Sequence, residues 1–475
     1  MSNPDRTRGR ALSTAVLGAS AGLTILATVL MTRDAQVVQV AGFALLLLVA
    51  GLAVTVLQPR LIYASMAFTL GAIPFGIIPG VGQPIIFVLA VAVWGAVLTH
   101  PIAQTRTSPL EFAVFTLVVV SLISVVVTGD GAVHLIEFAK WLLATSIVFA
   151  LLRLDHDDLR LFGLWFVHGV AIAAGFALAV FFLDKAGTTL NYLSIIGYGR
   201  TGTIGTHLRF YVMDNSTVVR LTGTYVDPNA AGIFLLVGLA LAVAMLRGWH
   251  RLLLGGVILS ALIITLSRSA IFSVLVAIVL LLIFQKMSLD KKTAALAASL
   301  VTAAVLMTVP AVYSRIFDSF SSSDKGSTDR ADALANYLDS MAGYWWFGRG
   351  WGIPEFTDEV VGYETNYVAN SPLLAVYRGG LFVGAAFLAV LIVAAVLAYR
   401  RSRREPWETG VIGAAFVAFA LVGLQLDFPI VTHTPLTMVF SVFVVFLIAN
   451  PIDPLPRSPE PVTTTAPKQG LAAYG

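Results

Sequence analysis

The chain has 475 residues, of which 58% are hydrophobic and only 12% are charged, and its mean hydropathy is +0.87. A soluble chain carries about a quarter charged residues, so this composition excludes an ordinary soluble protein and indicates a polytopic membrane protein whose first partner is the lipid bilayer. The chain has no cysteine, which excludes disulfides and thiolate metal sites. The net charge of +4 is small and no nucleic-acid-binding motif occurs, so nucleic acid is not an expected partner.

The apolar runs, taken in chain order, predict an all-α, polytopic transmembrane helical bundle of about 14 spans (roughly 12–14), since a span requires about 20 apolar residues. The run 61–79 contains Pro74 and Pro79 and is expected to kink. The runs 252–266 and 269–285 are short, and they form either two short spans or one long broken helix.

The distribution of basic residues favours two short spans over one broken helix. With the amino terminus in the cytoplasm, two spans place the cluster Arg400–Arg404 on the cytoplasmic side, as the positive-inside rule requires. A single span over 252–285 would place this cluster outside. Both termini are therefore predicted to be cytoplasmic, with two long loops outside, each expected to contain short helices.

This topology divides the chain into six segments. They are an N-terminal transmembrane bundle (1–183), a first long outside loop (184–228), transmembrane helices that carry a Ser-Arg-Ser turn (229–313), a second long outside loop (314–371), C-terminal transmembrane helices (372–450) and a disordered cytoplasmic tail (451–475).

One arginine within the apolar runs is the first sign of a site. Arg268 is the one charged residue between Leu252 and Phe284, and a guanidinium near hydrocarbon costs about 2.5–3.5 kcal/mol on insertion scales. Chains keep such a residue where it faces a cavity, pairs with an acid or holds an anion. The predicted topology places Arg268 at the outer end of two short spans, so the actual cost is smaller.

The two outside loops supply further arginines. Arg220 lies just before the helix start predicted at Asp227-Pro228-Asn229, where Asp227 is the expected N-cap. In the second loop, 329–343 is predicted to form an amphipathic helix with Arg330 in its first turn, where a cation is disfavoured unless an acid or a ligand lies nearby. Its apolar face is predicted to consist of Ala331, Leu334, Ala335, Leu338 and Met341.

An aromatic, glycine-rich segment follows at 345–352. It is either an interfacial aromatic belt or a flexible loop that stacks on sugar faces. Arg378 is a second arginine within an apolar run, and it either snorkels to the surface or joins a site. Arginine forks bind phosphate bidentately and keep their charge. The arginines that can converge on the outer face in this way are Arg220, Arg268, Arg330, Arg349 and Arg378.

These strings resemble the O-antigen ligase / O-antigen polymerase family of bacterial membrane glycosyltransferases, over roughly residues 200–390. The matching pieces, in the family's order, are Arg220 leading to Asp227-Pro228-Asn229, the string Thr265–Ala270, Arg330, a Gly-x-Gly turn at 348–350, and Asn370 and Leu373 ahead of Arg378–Leu381.

The resemblance implies that a glycan on a polyprenyl pyrophosphate is transferred to an acceptor glycan or glycolipid at the outer face of the bacterial cytoplasmic (inner) membrane. It implies no metal, no cofactor and no nucleotide sugar. Arg220 and Arg268, and then Arg330, would stabilise the departing pyrophosphate. The residues that would contact the substrate are Asn229, Arg349, Tyr367, Asn370, Arg378, Trp346 and Trp351.

The chain departs from the ligase pattern at one position. Ligases carry His-Asn-x-x-Leu before the next span, with the histidine as candidate general base, whereas this chain has Ala369 there. Glu364 is the nearest candidate base, and His207 and His433 are alternatives. The missing histidine favours a polymerase, or a transferase for another envelope glycan, and leaves a non-catalytic member open.

Two other kinds of protein compete with an enzyme: a flippase or transporter of lipid-linked oligosaccharide, and a scaffold for envelope assembly. A transporter should carry polar residues through the membrane midplane. The first seven spans hold few of them, namely His168 and the i,i+3 pair Glu137 and Lys140, which is expected to satisfy itself.

Overall fold

A computed structural model describes most of the helical bundle and parts of both long loops. The residues that it describes are 23–30, 49–80, 82–100, 107–184, 188–199, 209–213, 216–286, 288–290, 292–293, 296–297, 300, 313, 334–335, 337–352, 370–403, 407–423 and 434–449. These residues are mostly helical, as the composition predicts.

The helices of the first half are α1 (Val49–Leu57), α2 (Pro59–Ala72), α3 (Ile85–Thr99), α4 (Pro109–Thr128), α5 (Ala132–Leu151) and α6 (His156–Leu183). Those of the second half are α7 (Pro228–Met245), α8 (Gly248–Ile264), α9 (Arg268–Phe284), the short α10 (Tyr337–Ser340), α11 (Ser371–Ser402), α12 (Trp407–Ala418) with a π-helical continuation Phe419–Gly423, and α13 (Thr434–Ala449).

Five of the described helices are long and apolar enough to cross a membrane: α4, α5, α6, α7 and α11. The pair α1 and α2 passes the same test jointly, but the two helices are bent by 109° relative to each other. The other apolar helices have only 10–17 residues. A multi-pass membrane protein is thus supported with five or six spans in the described part, and the predicted count of about 14 is not confirmed.

The predicted kink in the run 61–79 is instead a helix end. The helix α2 stops at Ala72, because the residue before a proline is disfavoured in the α conformation and Pro74 follows. The chain then turns, and Ile77 and Pro84 form an isolated antiparallel bridge before α3 begins.

The break predicted between the runs 252–266 and 269–285 is confirmed, and the choice of two short spans over one broken helix stays a prediction. The helix α8 ends at Ile264 and α9 begins at Arg268, with a three-residue turn between them. Within the turn Leu266 has φ +52°, a left-handed conformation that no straight helix contains. The Ser267 amide donates to the Thr265 hydroxyl at 3.1 Å, which satisfies one of the amides freed by the break.

The first long loop departs from the prediction of an all-α fold. It contains the expected short helix, a 3-10 helix at Thr189–Ile196, but its second half is an antiparallel hairpin of β1 (Arg209–Met213) and β2 (Ser216–Arg220). Branched and aromatic residues are frequent in both strands, and such residues favour a strand over a helix.

The described part of the amphipathic helix predicted at 329–343 is turned differently from the prediction. The helical residues described there are 334–335 and α10 (Tyr337–Ser340). Tyr337 and the following Met341 are buried, whereas Leu334 and Leu338 are exposed. The predicted face is therefore confirmed at Met341 and wrong at Leu334, Ala335 and Leu338, while Ala331 lies outside the described residues. The reason is a specific anchor: the Tyr337 hydroxyl donates to the Leu373 carbonyl at 2.7 Å and turns this side of the helix towards α11.

The two ends of the bundle are held together by different tertiary contacts. At one end lie three ion pairs, Arg60–Asp158 at 2.6 Å, Arg153–Glu111 at 2.7 Å and Arg251–Glu408 at 3.2 Å. At the opposite end, here called the loop end, the described parts of five connections meet: 73–80 with 82–84, 129–131, 188–199 with 216–227, 265–267 and 341–352. Each ion pair joins segments that the topology prediction assigns to the same side of the membrane.

Glycines allow α2 and α6 to pack closely. A Cβ added at Gly71 would lie 2.6 Å from the Phe166 carbonyl oxygen, and one added at Gly169 would lie 2.5 Å from the Phe68 carbonyl oxygen. Both obstacles are backbone atoms that cannot rotate away. Small residues are what membrane helices use where their backbones touch.

We expect Gly169→Ala to destabilise the protein by about 1–3 kcal/mol, because the added methyl group separates α2 from α6. Thermal unfolding in detergent would show a lower midpoint. The control is Gly175→Ala on the same helix, whose Cβ would be 4.0 Å from its nearest neighbour. That variant should unfold at or above the wild-type midpoint, since alanine favours a helix by about 1 kcal/mol over glycine. Equal midpoints for the two variants would contradict this packing.

Candidate functional site

Arg220, the last residue of β2, is held by two acceptors. Its Nε donates to the Thr265 carbonyl at 3.0 Å, and its Nη2 donates to Asn229 Oδ1 at 2.7 Å. The next residue reinforces the contact, since the Leu221 amide donates to the Ile264 carbonyl at 3.3 Å. The end of the first long loop is thereby fixed onto both the start of α7 and the end of α8.

The local sequence explains why Asn229 faces this arginine. Asp227 is the N-cap of α7, as predicted, and its Oδ1 accepts from the amides of Asn229 at 2.7 Å and Ala230 at 3.1 Å. Pro228 occupies the first helical position, where its missing amide proton is not needed. The capped start fixes the direction of the Asn229 side chain towards Arg220.

The residues between Arg220 and the cap are buried against α2. The Thr224 hydroxyl donates to the Ala72 carbonyl at 2.7 Å, and the Tyr225 hydroxyl donates to the Gly71 carbonyl at 2.8 Å. The Tyr225 ring stacks on Phe234, with 5.1 Å between ring centroids. Burial raises the pKa of Tyr225 well above its usual value, which keeps its hydroxyl protonated as a donor.

Arg268 is the first residue of α9 and follows the turn to which Arg220 is bonded. Its neighbours Ser267 and Ser269 are buried, with 3.0 Å between their hydroxyl oxygens. Gly232 of α7 packs against this turn, where an added Cβ would lie 3.1 Å from Ser267 Oγ. We call Arg220, Asn229 and the turn with Arg268 (265–268) the arginine cluster.

A second group forms where the aromatic segment meets α11. The Arg349 amide donates to the Tyr377 carbonyl at 2.8 Å, the Gly350 amide to the Arg378 carbonyl at 3.1 Å, and the Leu381 amide to the Trp345 carbonyl at 2.8 Å. The helix α11 is broken at Gly380, which has φ +80° and ψ −177°. Residues 344–352 and 377–381 are here called the junction.

Two glycines make the junction possible. A Cβ at Gly380 would overlap the Trp346 carbonyl, and a Cβ at Gly348 would overlap the Arg378 carbonyl. Both glycines have positive φ, +80° and +77°, which other residues adopt only with strain. The glycines of the aromatic segment therefore fix it onto the broken helix, which differs from the flexible loop considered above.

The junction orients the two predicted arginines in different ways. The Arg349 guanidinium lies 5.0 Å from the ring centroid of Tyr344 and 5.8 Å from that of Tyr377, and Nη1 donates to the Ser340 carbonyl at 3.2 Å. Arg378 is buried, with its guanidinium 5.8 Å from the Trp351 ring. No snorkelling to the surface is seen for Arg378.

The two predicted stacking tryptophans have opposite surroundings. Trp346 is 62% exposed and leans on Phe382. Trp351 is fully buried, with its ring centroid 4.6 Å from Trp141 and 5.3 Å from Phe138. The ring of Trp346 is therefore accessible to a ligand, whereas that of Trp351 is a packing element between the junction and α5.

Asn370 has a structural role. It is the N-cap of α11, and its Oδ1 accepts from the Leu373 amide at 3.0 Å. The remaining predicted residues, Arg330, Glu364, Tyr367, His207 and His433, lie outside the described residues.

Two residues that contact the junction were not predicted from the sequence. The Ser124 hydroxyl of α4 donates to the Phe347 carbonyl at 2.8 Å, and His134 Nδ1 of α5 accepts from the Gly352 amide at 3.3 Å. Their partners are more than two hundred residues away in the chain, and neither residue stands in a recognisable motif. The polarity of His134 among apolar neighbours is the one feature that sets it apart.

Residues 253–388 match the family model described as O-antigen ligase. The matched segment contains Arg268 and the whole junction, whereas Arg220 and His134 precede it. No curated protein was found to match the chain.

We expect Gly380→Ala to disrupt the junction and to destabilise the protein by at least about 2 kcal/mol, since overpacking adds to backbone strain. The matched control is Gly343→Ala, where φ is +83° but no atom lies within 4 Å of the added Cβ. That variant should lose only about 1–2 kcal/mol of backbone strain energy. Denaturant unfolding of both purified variants would measure the difference, and a loss no larger than that of the control would argue against the close contact.

Proposed function

We propose, from the assignment of residues 253–388 to the O-antigen ligase / O-antigen polymerase family, that this chain is a membrane glycosyltransferase of cell-surface polysaccharide assembly. It transfers or polymerises a glycan carried on polyprenyl pyrophosphate. The acceptor is a second glycan or a glycolipid, and the reaction takes place at the outer face of the bacterial cytoplasmic membrane without a metal ion.

The observation that carries the proposal is the attachment of Arg220 to the turn that precedes Arg268. Arg220 is bonded at the C-terminal end of α8 and Arg268 begins α9, so two arginines from separate segments lie on either side of one turn. The free amides and the dipole of a helix N-terminus attract anions and disfavour cations. The amides at the start of α9 and the arginine forks beside them bind phosphate, and we propose that the diphosphate of a lipid-linked glycan is the anion bound there.

The same contacts orient the charge before the reaction. Asn229 and the Thr265 carbonyl hold the guanidinium of Arg220 in a fixed plane. In the proposed reaction the bond between the anomeric carbon and the phosphate oxygen breaks, and negative charge grows on the departing pyrophosphate. Donors that are already oriented stabilise this charge without reorganisation, which is a large term in catalysis.

The other roles follow from the family resemblance. The acceptor hydroxyl forms the new bond to the anomeric carbon and gives its proton to a base, for which Glu364 is the proposed residue. Arg330 is proposed as a third phosphate ligand, and Tyr367 as a substrate contact. Trp346 is the aromatic ring that we propose for sugar stacking, because Trp351 is buried and Asn370 caps α11.

The polar residues of the N-terminal helices support a transporter less well than they support the proposed glycosyltransferase. Lys140 Nζ lies 2.7 Å from Glu137 Oε1, so the prediction of a self-satisfied pair is confirmed. His168 Nδ1 lies 2.6 Å from the Leu164 carbonyl of its own helix. These charged and titratable groups are satisfied within their own helices, which favours a site at the loop end over a polar path through the membrane.

We expect Arg220→Ala or Arg268→Ala to abolish surface polymer while the protein still inserts into the membrane. Arg220→Lys keeps the charge but loses the planar fork, and it should lower the transfer rate about 10- to 100-fold. Arg247→Lys, at the opposite end of α8, is the matched control and should leave the rate unchanged. Normal polymer in both alanine variants would refute a catalytic role and would favour a scaffold.

The reaction type is tested by incubating the purified protein with a polyprenyl-pyrophosphate oligosaccharide, with and without a chelator. We expect longer lipid-linked chains if the protein is a polymerase and a new conjugate if it is a ligase. The rate should be the same with the chelator, because the arginines supply the positive charge. If neither product forms while lipid-linked glycan crosses vesicle membranes, the protein is a transporter.

A further inference from the structure

We propose that Thr224 and Tyr225 are positioning residues for Arg220. Their hydroxyl groups hold the end of the first long loop on α2 and thereby maintain a strained turn at Val226, which keeps Arg220 aligned with Asn229. The hold on α2 is argued from geometry alone, whereas its effect on glycan transfer rests on the proposed function.

The strained turn has Val226 at its centre. This residue has φ +67° and ψ −44°, and the Asp227 amide donates to the Tyr225 carbonyl at 2.7 Å, across a single residue. These values describe a γ-turn with positive φ, a rare and strained form. A β-branched side chain seldom adopts positive φ. Strain of this kind persists only where the surrounding structure determines the backbone from several sides.

The residues before the turn are held by α2. The Thr224 hydroxyl donates to the Ala72 carbonyl at 2.7 Å, and the Tyr225 hydroxyl donates to the Gly71 carbonyl at 2.8 Å. Both side chains are buried, and both acceptors belong to the last two residues of α2. The final carbonyls of a helix have no amide partner within it. Each hydroxyl therefore satisfies a carbonyl that its removal would leave buried without that donor.

The residue after the turn is held by a different helix. Asp227 is the N-cap of α7, and its Oδ1 accepts from the amides of Asn229 at 2.7 Å and Ala230 at 3.1 Å. Tyr225 and Asp227 are thus fixed to α2 and to α7 respectively, with only Val226 between them. The strain at Val226 follows, because one residue has to connect two fixed points.

The turn bears on the arginine through Asn229, the second residue of α7. Arg220 Nη2 donates to Asn229 Oδ1 at 2.7 Å, and Arg220 stands four residues before Thr224 in the chain. If the hydroxyls release α2, Val226 returns to negative φ and the segment 221–226 shifts relative to α7. The guanidinium of Arg220 then loses its alignment with Asn229. The orientation of this proposed phosphate ligand is accordingly set by α2, which precedes the matched segment 253–388.

The test removes each hydroxyl while nearly keeping the shape of the side chain. Thr224→Val and Tyr225→Phe lose the donor, and Tyr225→Phe keeps the ring that stacks on Phe234. Thr224→Ser is the conservative variant that keeps a hydroxyl. Val226→Gly removes the strain, since glycine adopts positive φ readily. The matched control is Tyr63→Phe, at a buried tyrosine in the first half of α2.

The first measurement is hydrogen exchange of the Asp227 amide, the donor of the γ-turn, in the full-length protein. Its protection should fall roughly two- to tenfold in Thr224→Val and in Tyr225→Phe, the loss expected for one net hydrogen bond. Thr224→Ser and Tyr63→Phe should match wild type. Val226→Gly should raise the protection at least about twofold, because opening the turn no longer releases strain. Wild-type protection in both hydroxyl variants, or a fall in Val226→Gly, would overturn the proposal.

The second measurement is the transfer rate per folded protein, in wild type and in an Arg220→Lys background. Thr224→Val should lower the wild-type rate roughly two- to tenfold, as one hydrogen bond less holds the alignment. The same change should matter less than about twofold once Arg220→Lys has removed the planar fork. Thr224→Ser should restore the rate. If Thr224→Val does not fold, Tyr225→Phe takes its place in the same comparison.

The two measurements separate the possible failures. A loss of rate by the same factor in both backgrounds indicates a structural effect only and would reject the positioning role. Exchange as expected, with no transfer even by wild type, would leave the hold on α2 intact and reject the proposed function.

Discussion

Backbone carbonyls at helix ends need donors wherever water is scarce, and in this fold the donors come from the segments that build the candidate site. Near the loop end, α2, α8 and the interrupted α11 each have carbonyls that receive no hydrogen bond from within their own helix. Their partners are two side chains of the first loop, the arginine of the arginine cluster with its neighbouring amide, and the amides of the junction. The carbonyls concerned are those of Gly71, Ala72, Ile264, Thr265, Tyr377 and Arg378.

Stability and the proposed chemistry consequently share the same hydrogen bonds. Arg220 closes the end of α8 and is also the proposed phosphate ligand, so its orientation is determined by helix geometry before any substrate arrives. The junction likewise depends on helices that precede the matched segment, because α4 and α5 hold it in place. The N-terminal bundle is thus part of the framework that holds the loops of the matched domain.

The sequence was sufficient for features governed by local chemistry. The cap at Asp227, the pair Glu137–Lys140 and the separation of α8 from α9 follow from spacing, charge and the rules of helix ends. It was insufficient where contacts join residues more than two hundred positions apart, as for His134 and for the burial of Trp351. Five or six spans are supported among the described residues, and the count of about 14 stays a prediction, because apolarity alone does not distinguish a full span from a short or bent helix.

The lengths of the helices bear on the shape of the surrounding lipid. The helices α8 and α9 have 17 residues each, about 25 Å at 1.5 Å per residue, whereas the hydrocarbon layer is about 30 Å thick. The 28-residue helix α6 extends well beyond them. A bilayer adapts to short helices by thinning locally. If α8 and α9 cross the membrane as proposed, the turn before Arg268 lies at the bottom of a depression in the leaflet, where a lipid headgroup reaches it without leaving the membrane.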